Sequence, residues 1–225
     1  MPTSTVEDYL KQIYLEQQSA PAGELVSLGK LASSMGVVPG TATSMIKALA
    51  DSGLVNYEPR GGARLTRGGE QLALRVLRRH RLVELFLVKV LGLDWSEVHP
   101  EAEELEHAIS EKVLERIDAL LGRPSVDPHG DPIPSAKGKL LNSPAAKPAT
   151  SLADCPMNRS VRIARVIDQD APFLQFVNRC GLTPGVNARV EKRDTLAASV
   201  LVRAHGKEPL TLGTAAAAKI LVEAV

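Results

Sequence analysis

The chain has 225 residues, 44% of them apolar and 24% charged, which suffices for one domain or two with an ordinary core. A net charge of +1 is too small to announce a polyanionic partner, no run of about eighteen apolar residues offers a membrane span, and the first five residues lack the basic start and apolar stretch of a secretory signal. A globular cytoplasmic protein is expected, with Cys155 and Cys180 as free thiols because their spacing suits neither a metal site nor a redox pair.

In chain order, a first helix is expected from Ser4, which precedes Glu7 at capping-box spacing and is followed by Val6, Tyr9, Leu10, Ile13 and Tyr14 at helical period. Asp8 lies one turn inside that start. A second helix should follow Ser27, with Leu28, Leu31, Ala32 and Met35 apolar, and end at Gly36; a third, over 41–51, should bury Ala42, Met45, Ile46 and Leu49. Two short helices about a glycine-containing link make a helix-turn-helix. Strands over 54–58 and 63–66, joined by Pro59-Arg60-Gly61-Gly62, add a wing.

A long helix is expected over 67–91, on which Ala73, Leu77, His80, Glu84, Leu87 and Leu91 share a stripe, so that His80 and Glu84 interrupt an apolar face. After Gly92 another helix should start at Pro100, with His99 as its N-cap, and run to about Leu121. Residues 122–150 collect six prolines, and the stretch 136–150 reads as a linker. Beyond Ser151 the runs over 161–167, 188–192, 200–203 and 210–212 suggest a small β-barrel, interrupted by a helical turn at 173–177. The expected fold is mainly α with a small β domain: a winged helix-turn-helix over 1–70, a helical domain over 71–135, the linker, and a β domain over 151–225.

The third helix has the size to enter a major groove and carries Thr41, Thr43, Ser44 and Lys47 on its exposed side, while Arg60, Arg64 and Arg67 in or beside the wing suit phosphates or a minor groove. Pro39, at the helix entry, belongs to the same candidate surface. A winged helix can instead bind protein, and the cations at Lys47 and in the wing separate the readings.

His80, Glu84, His99, Glu103, Glu106 and His107 fall within 28 positions, at spacings of three and four that place imidazole and carboxylate donors on shared helix faces. Residues 81–125 carry ten Asp/Glu against five Lys/Arg, which suits a bound divalent cation. Glu104 and His107 also make one Glu-x-x-His motif of the kind used by carboxylate-bridged di-iron oxidases, where a four-helix oxidase needs two. The bland alternative is a satisfied core histidine beside a solvated acidic face. His129, in Asp127-Pro-His-Gly-Asp131, and His205, in a turn, read as ordinary exposed histidines.

With the winged helix, His80-x3-Glu84, Glu103-x2-Glu106-His107, the loop 128–134 and a β C-terminus in this order, the chain resembles the diphtheria toxin repressor family of metal-dependent transcriptional regulators over nearly its whole length. The resemblance is most specific in Glu7-Asp8-Tyr9-Leu10-x-x-Ile13-Tyr14 and in the two histidine segments; Gly181-Leu182-Thr183-Pro184-Gly185 is similar to the family's SH3-like (FeoA-like) barrel. It implies a homodimer that binds a palindromic DNA operator and controls metal-uptake genes, with no enzymatic activity, no small-molecule substrate and no membrane partner. It implies two ions per subunit: a primary site of Asp8, Glu103, Glu106 and His107, and an ancillary site of His80, Glu84 and His99 completed from the barrel by Asp170, with Asp127 and His129 as further possible ligands. Iron-responsive members place Met and Cys where this chain has Asp8 and Glu103, whereas manganese-responsive members use hard oxygens there. The resemblance therefore favours Mn2+, with Fe2+ as the alternative. Lys11 departs from compact manganese regulators, which carry a glutamate ligand at that position.

Overall fold

The computed structural model describes residues 3–21, 23–140 and 150–225 and divides into two units, residues 1–80 with 134–139 and residues 81–133 with 140–225. The division falls inside one long helix, α4 (Arg67–Lys89).

The first unit runs α1 (Ser4–Ser19), α2 (Leu28–Ser34), α3 (Pro39–Asp51), β1 (Val55–Glu58) and β2 (Gly62–Leu65) before α4. Leu10, Ile13, Leu31, Ile46, Leu49, Ala73 and Leu77 fill its core, as their periodicity predicts. Ser4 is not the cap of α1: Thr3 is the residue in extended conformation, and its hydroxyl accepts from the Val6 N–H at 3.4 Å. Ser27 caps α2 by accepting from the Lys30 N–H at 3.2 Å. The third helix starts two residues earlier than expected because Pro39, its φ preset, serves as a first-turn residue.

The wing is an antiparallel hairpin pairing Val55 with Leu65 and Glu58 with Gly62. Val26, in the connection between α1 and α2, adds an isolated bridge to it by exchanging two 2.9 Å hydrogen bonds with Ala63. Gly62 makes that close approach feasible: at φ +136° it faces the Val26 carbonyl where a Cβ would collide.

In the second unit the single helix expected from Pro100 is two, α5 (Val98–Glu106) and α6 (Glu111–Leu120), because Ser110 turns extended and caps α6 by accepting from the Val113 N–H. His99 is therefore inside α5 rather than its cap, which is Glu97. Leu82, Leu85, Leu114, Ile117 and Ile133 form one small core; Val83, Leu87, Val98 and Ala102 form another.

The β domain is a six-stranded antiparallel sheet in the order β3-β8-β4-β5-β6-β7, from β3 (Thr150–Ser151), β4 (Val161–Val166), β5 (Asn187–Asp194), β6 (Ser199–Ala204), β7 (Leu210–Gly213) and β8 (Ile220–Ala224). The helical turn expected near 173–177 is a full helix, α7 (Ala171–Cys180), and a short α8 (Thr214–Ala218) precedes the last strand. Ile163, Val190, Val200, Val202, Leu174, Leu182 and Ile220 make its core, and both cysteines are free thiols. Of the linker expected over 136–150, residues 141–149 lie outside the described residues. Among the described residues no helix is long and apolar enough to cross a membrane.

Candidate metal centre

Within the second unit, three elements bring donors together. Helix α4 supplies Glu84, α5 supplies His99, and the loop after α6 supplies Asp127 and His129. Glu84, Asp127 and His129 each offer one ligand atom, and these atoms lie within 4.8 Å of one another. His129, read from sequence as an exposed loop histidine, is completely buried. The reason is long-range: the loop packs against β4, where the Val166 N–H donates to the His129 carbonyl at 2.9 Å.

The His129 tautomer follows from one contact. Its Nε2 lies 2.8 Å from the Trp95 carbonyl oxygen, which can only accept, so Nε2 carries the proton and Nδ1 presents a lone pair. No hydrogen-bond partner reaches Nδ1 or Asp127 Oδ2, and Glu84 Oε2 stands 3.8 Å from Nδ1. Asp127 Oδ1, in contrast, accepts from the N–H groups of His129 at 2.8 Å and Asp131 at 2.9 Å. Burial, together with the Asp131 and Glu84 carboxylates, pushes the Asp127 carboxyl well above the usual range against the opposing pull of Arg81. A buried lone pair and a buried carboxylate oxygen, those of His129 Nδ1 and Asp127 Oδ2, are costly without hydrogen-bond partners unless a cation satisfies them. This donor set fits a hard divalent ion, which holds oxygen and imidazole ligands at about 2.0–2.6 Å.

Glu84 also faces α5: its Oε1 lies 3.3 Å from His99 Nδ1, and His99 Nε2 lies 3.4 Å from Glu103 Oε1. Glu103, which the resemblance assigns to the primary site, is thus turned toward His99 one turn before it. Glu106, fully buried, and His107 are adjacent at the C-terminal end of α5, with Oε1 and Nε2 3.4 Å apart. In the first unit, Asp8 is half-buried on α1 and His80, 4% exposed, lies one turn before Glu84 on α4. Asp170 is exposed at the N-cap of α7, its N–H bonded to Asp168, and it falls in none of the groups of converging donors among the described residues.

The residues expected to face nucleic acid lie in the first unit. Pro39, Thr41, Ser44, Lys47 and Arg60 are exposed and Thr43 is half-buried. The Thr43 and Ser44 hydroxyls donate to the carbonyls of Pro39 and Gly40, which leaves their oxygens as acceptors. Arg64 is half-buried and donates to the Glu24 carbonyl at 3.2 Å, so one of the three cations expected in or beside the wing is partly engaged by the fold, while Arg67 is exposed.

Three family models match: "Iron dependent repressor, N-terminal DNA binding domain" over residues 1–63, "Iron dependent repressor, metal binding and dimerisation domain" over 66–135, and "FeoA domain" over 150–224. The chain is 31% identical over 231 residues to the iron-dependent repressor IdeR of Mycobacterium leprae strain TN, covering 98% of this chain and 97% of that protein. It is 34% identical over 166 residues to the diphtheria toxin repressor of Corynebacterium diphtheriae, covering 72% of each. A solved manganese-dependent transcriptional repressor in complex with manganese superposes with a TM-score of 0.85 at 39% identity, covering 98% of this chain and all of the other.

Proposed function

The chain belongs to the diphtheria toxin repressor family of metal-dependent, DNA-binding transcriptional repressors, and from that premise we propose that it is a cytoplasmic homodimeric Mn2+ sensor, with Fe2+ as the alternative ion, that binds a palindromic operator of metal-uptake genes. The observation that carries the choice of ion is the donor set: carboxylates and imidazoles throughout, with no thiolate or thioether at Asp8 or Glu103.

In this reading each subunit holds two ions. The primary ion takes Asp8, Glu103, Glu106 and His107; the second takes Glu84, Asp127 and His129, with His80 and His99 as its remaining candidates and the loop pair preferred over Asp170. When bound, the primary ion supplies an electrostatic tie between the helix-turn-helix and the dimerisation helices. Lys47 and the wing arginines then contact the DNA backbone, and the exposed face of α3 reads the groove. The ion must bind the DNA-competent arrangement more tightly than the relaxed one, and a coupling of about 1–3 kcal/mol shifts operator affinity roughly 5- to 150-fold.

A mobility-shift titration on the chain's own promoter, comparing EDTA, Mn2+, Fe2+ and Zn2+, tests this. Binding should strengthen with Mn2+ within that range, and Asp8→Ala or Glu106→Ala should abolish the strengthening while the dimer stays folded. Equal binding in EDTA and Mn2+ overturns metal dependence; unchanged stimulation in both variants overturns the primary ligand set.

A further inference from the structure

We propose that Arg165 and Gln169 of the β domain are positioning residues for the second ion: acting through Asp131, they hold the loop 127–131 in the shape that turns Asp127 Oδ2 and His129 Nδ1 toward Glu84. The proposal rests on the reading of Glu84, Asp127 and His129 as ligands, and adds residues that touch no donor of that set.

The loop is built around two aspartates with opposite duties. Asp127 Oδ1 is spent on the His129 and Asp131 N–H groups, and the Asp127 N–H donates to the Asp131 carbonyl at 2.9 Å, so the loop closes on itself with Oδ2 facing the donor group. The Asp131 side chain, only 5% exposed, is held from the β domain. Gln169 Nε2 donates to its Oδ2 at 2.6 Å, and Arg165 Nε stands 2.8 Å from its Oδ1 as an ion pair, off the axis of a hydrogen bond. Arg81, from α4, reaches the same loop. It donates to the Pro132 carbonyl at 2.5 Å, with Asp131 Oδ1 at 3.5 Å and Asp127 Oδ2 at 3.6 Å.

Backbone contacts make the β domain's share specific. Val166, next to Arg165, donates to the His129 carbonyl, and Gly130, at φ +88°, packs so closely on the Ala164 carbonyl that no Cβ fits. The ligand His129 is thus flanked by a residue pressed on β4 and, at Asp131, by a carboxylate gripped from β4 and from the segment that follows it. A clamp of this kind acts on the metal by fixing ligand orientation, and removing such outer partners costs about 10- to 100-fold in metal affinity.

Trp95, the only tryptophan, supplies the readout: its ring lies 5.4 Å from that of His129, whose Nε2 it also binds through its carbonyl. The experiment is a Mn2+ titration of the full chain, followed in parallel by Trp95 emission and by counting bound ions calorimetrically. Wild type should show two binding steps, one of them seen by Trp95. Arg165→Ala and Gln169→Ala should weaken the Trp95-linked step about tenfold or more and leave the other unchanged, and Arg165→Lys should restore part of the loss. Arg189→Ala, at an exposed position on β5, should change neither step. Gln169→Ala leaves the sheet's own hydrogen bonds intact, and amide exchange in β5 and β6 is compared for every variant. A Trp95-linked step that persists unchanged in the Arg165→Ala/Gln169→Ala double variant overturns the positioning role alone. Its weakening in both single variants only together with faster exchange in β5 and β6 also overturns it, as general loosening. A wild type with one step, silent at Trp95, overturns the second ion and the positioning role with it.

Discussion

Arg60 sits at the tip of the wing with φ +66°, a left-handed conformation that glycine adopts freely and other residues at a cost of about 1–2 kcal/mol. An exposed arginine held there costs stability, and the proposed DNA contact gives that cost a use. Arg60→Gly should therefore raise unfolding stability by about 0.5–1 kcal/mol, the relieved strain less the added entropy of the unfolded chain, while weakening operator binding. Arg60→Ala should weaken DNA binding equally without the gain. Thermal unfolding and fluorescence anisotropy at several salt concentrations check both, and the slope of log affinity against log salt should fall by about one. A stabilised variant with unaltered DNA affinity and slope would remove Arg60 from the interface. Not every such residue is legible in a sequence. His80 and Glu84 stand out because helical period forces them onto an apolar stripe, whereas His129 looks like any loop histidine until β4, more than thirty residues further on, covers it.

Between helices of the first unit, Glu16 shows how an element is pinned through one carboxylate. Burial alone would raise it, but hydrogen bonds from Lys30 of α2, Ser34 of α2 and Gln12 of its own helix together hold it below the usual glutamate range. A lowered folded value means that this contribution is fully present at neutral pH and is lost as pH falls through the folded value, because the unfolded chain takes up the proton first. Glu16→Gln should cost about 1–2 kcal/mol at pH 7, with the gap to wild type closing toward pH 3; urea unfolding at both values measures it, and a gap that does not narrow contradicts the assignment. At this scale α1 to α4 and the wing were legible within a few residues, since caps, period and Pro-Gly turns agree. The break between α5 and α6 was not, because the apolar period continues across it and only the Ser110 cap betrays it. The last strand, β8, escaped as well: Ile220-Leu221-Val222 is a short apolar run without alternation in the sequence, and its pairing with β3 and β4 is a long-range choice.

For the whole molecule, the family models cover the DNA-binding, metal-binding and FeoA regions in succession, so the order of these regions was readable. Spacing groups Glu84 with His99, whose Nδ1 lies 3.3 Å from it, while Asp127 and His129 converge on it from a loop that helical period does not reach. If metal and operator are coupled as proposed, linkage demands symmetry: the operator must tighten Mn2+ binding by the factor by which Mn2+ tightens the operator. Calorimetric Mn2+ titrations with and without operator duplex should agree with the mobility-shift ratio, and Asp8→Ala should bring both factors to one. A variant that loses one factor and keeps the other would mean that Asp8 does not carry the coupling. The bridge from Val26 to Ala63 has a further consequence for how such regulators can diverge. Because side chains alternate along a strand, inserting a single residue between Gly23 and Val26 would present the opposite face of that segment to the wing, so the length of this connection governs the aim of the hairpin proposed to touch DNA.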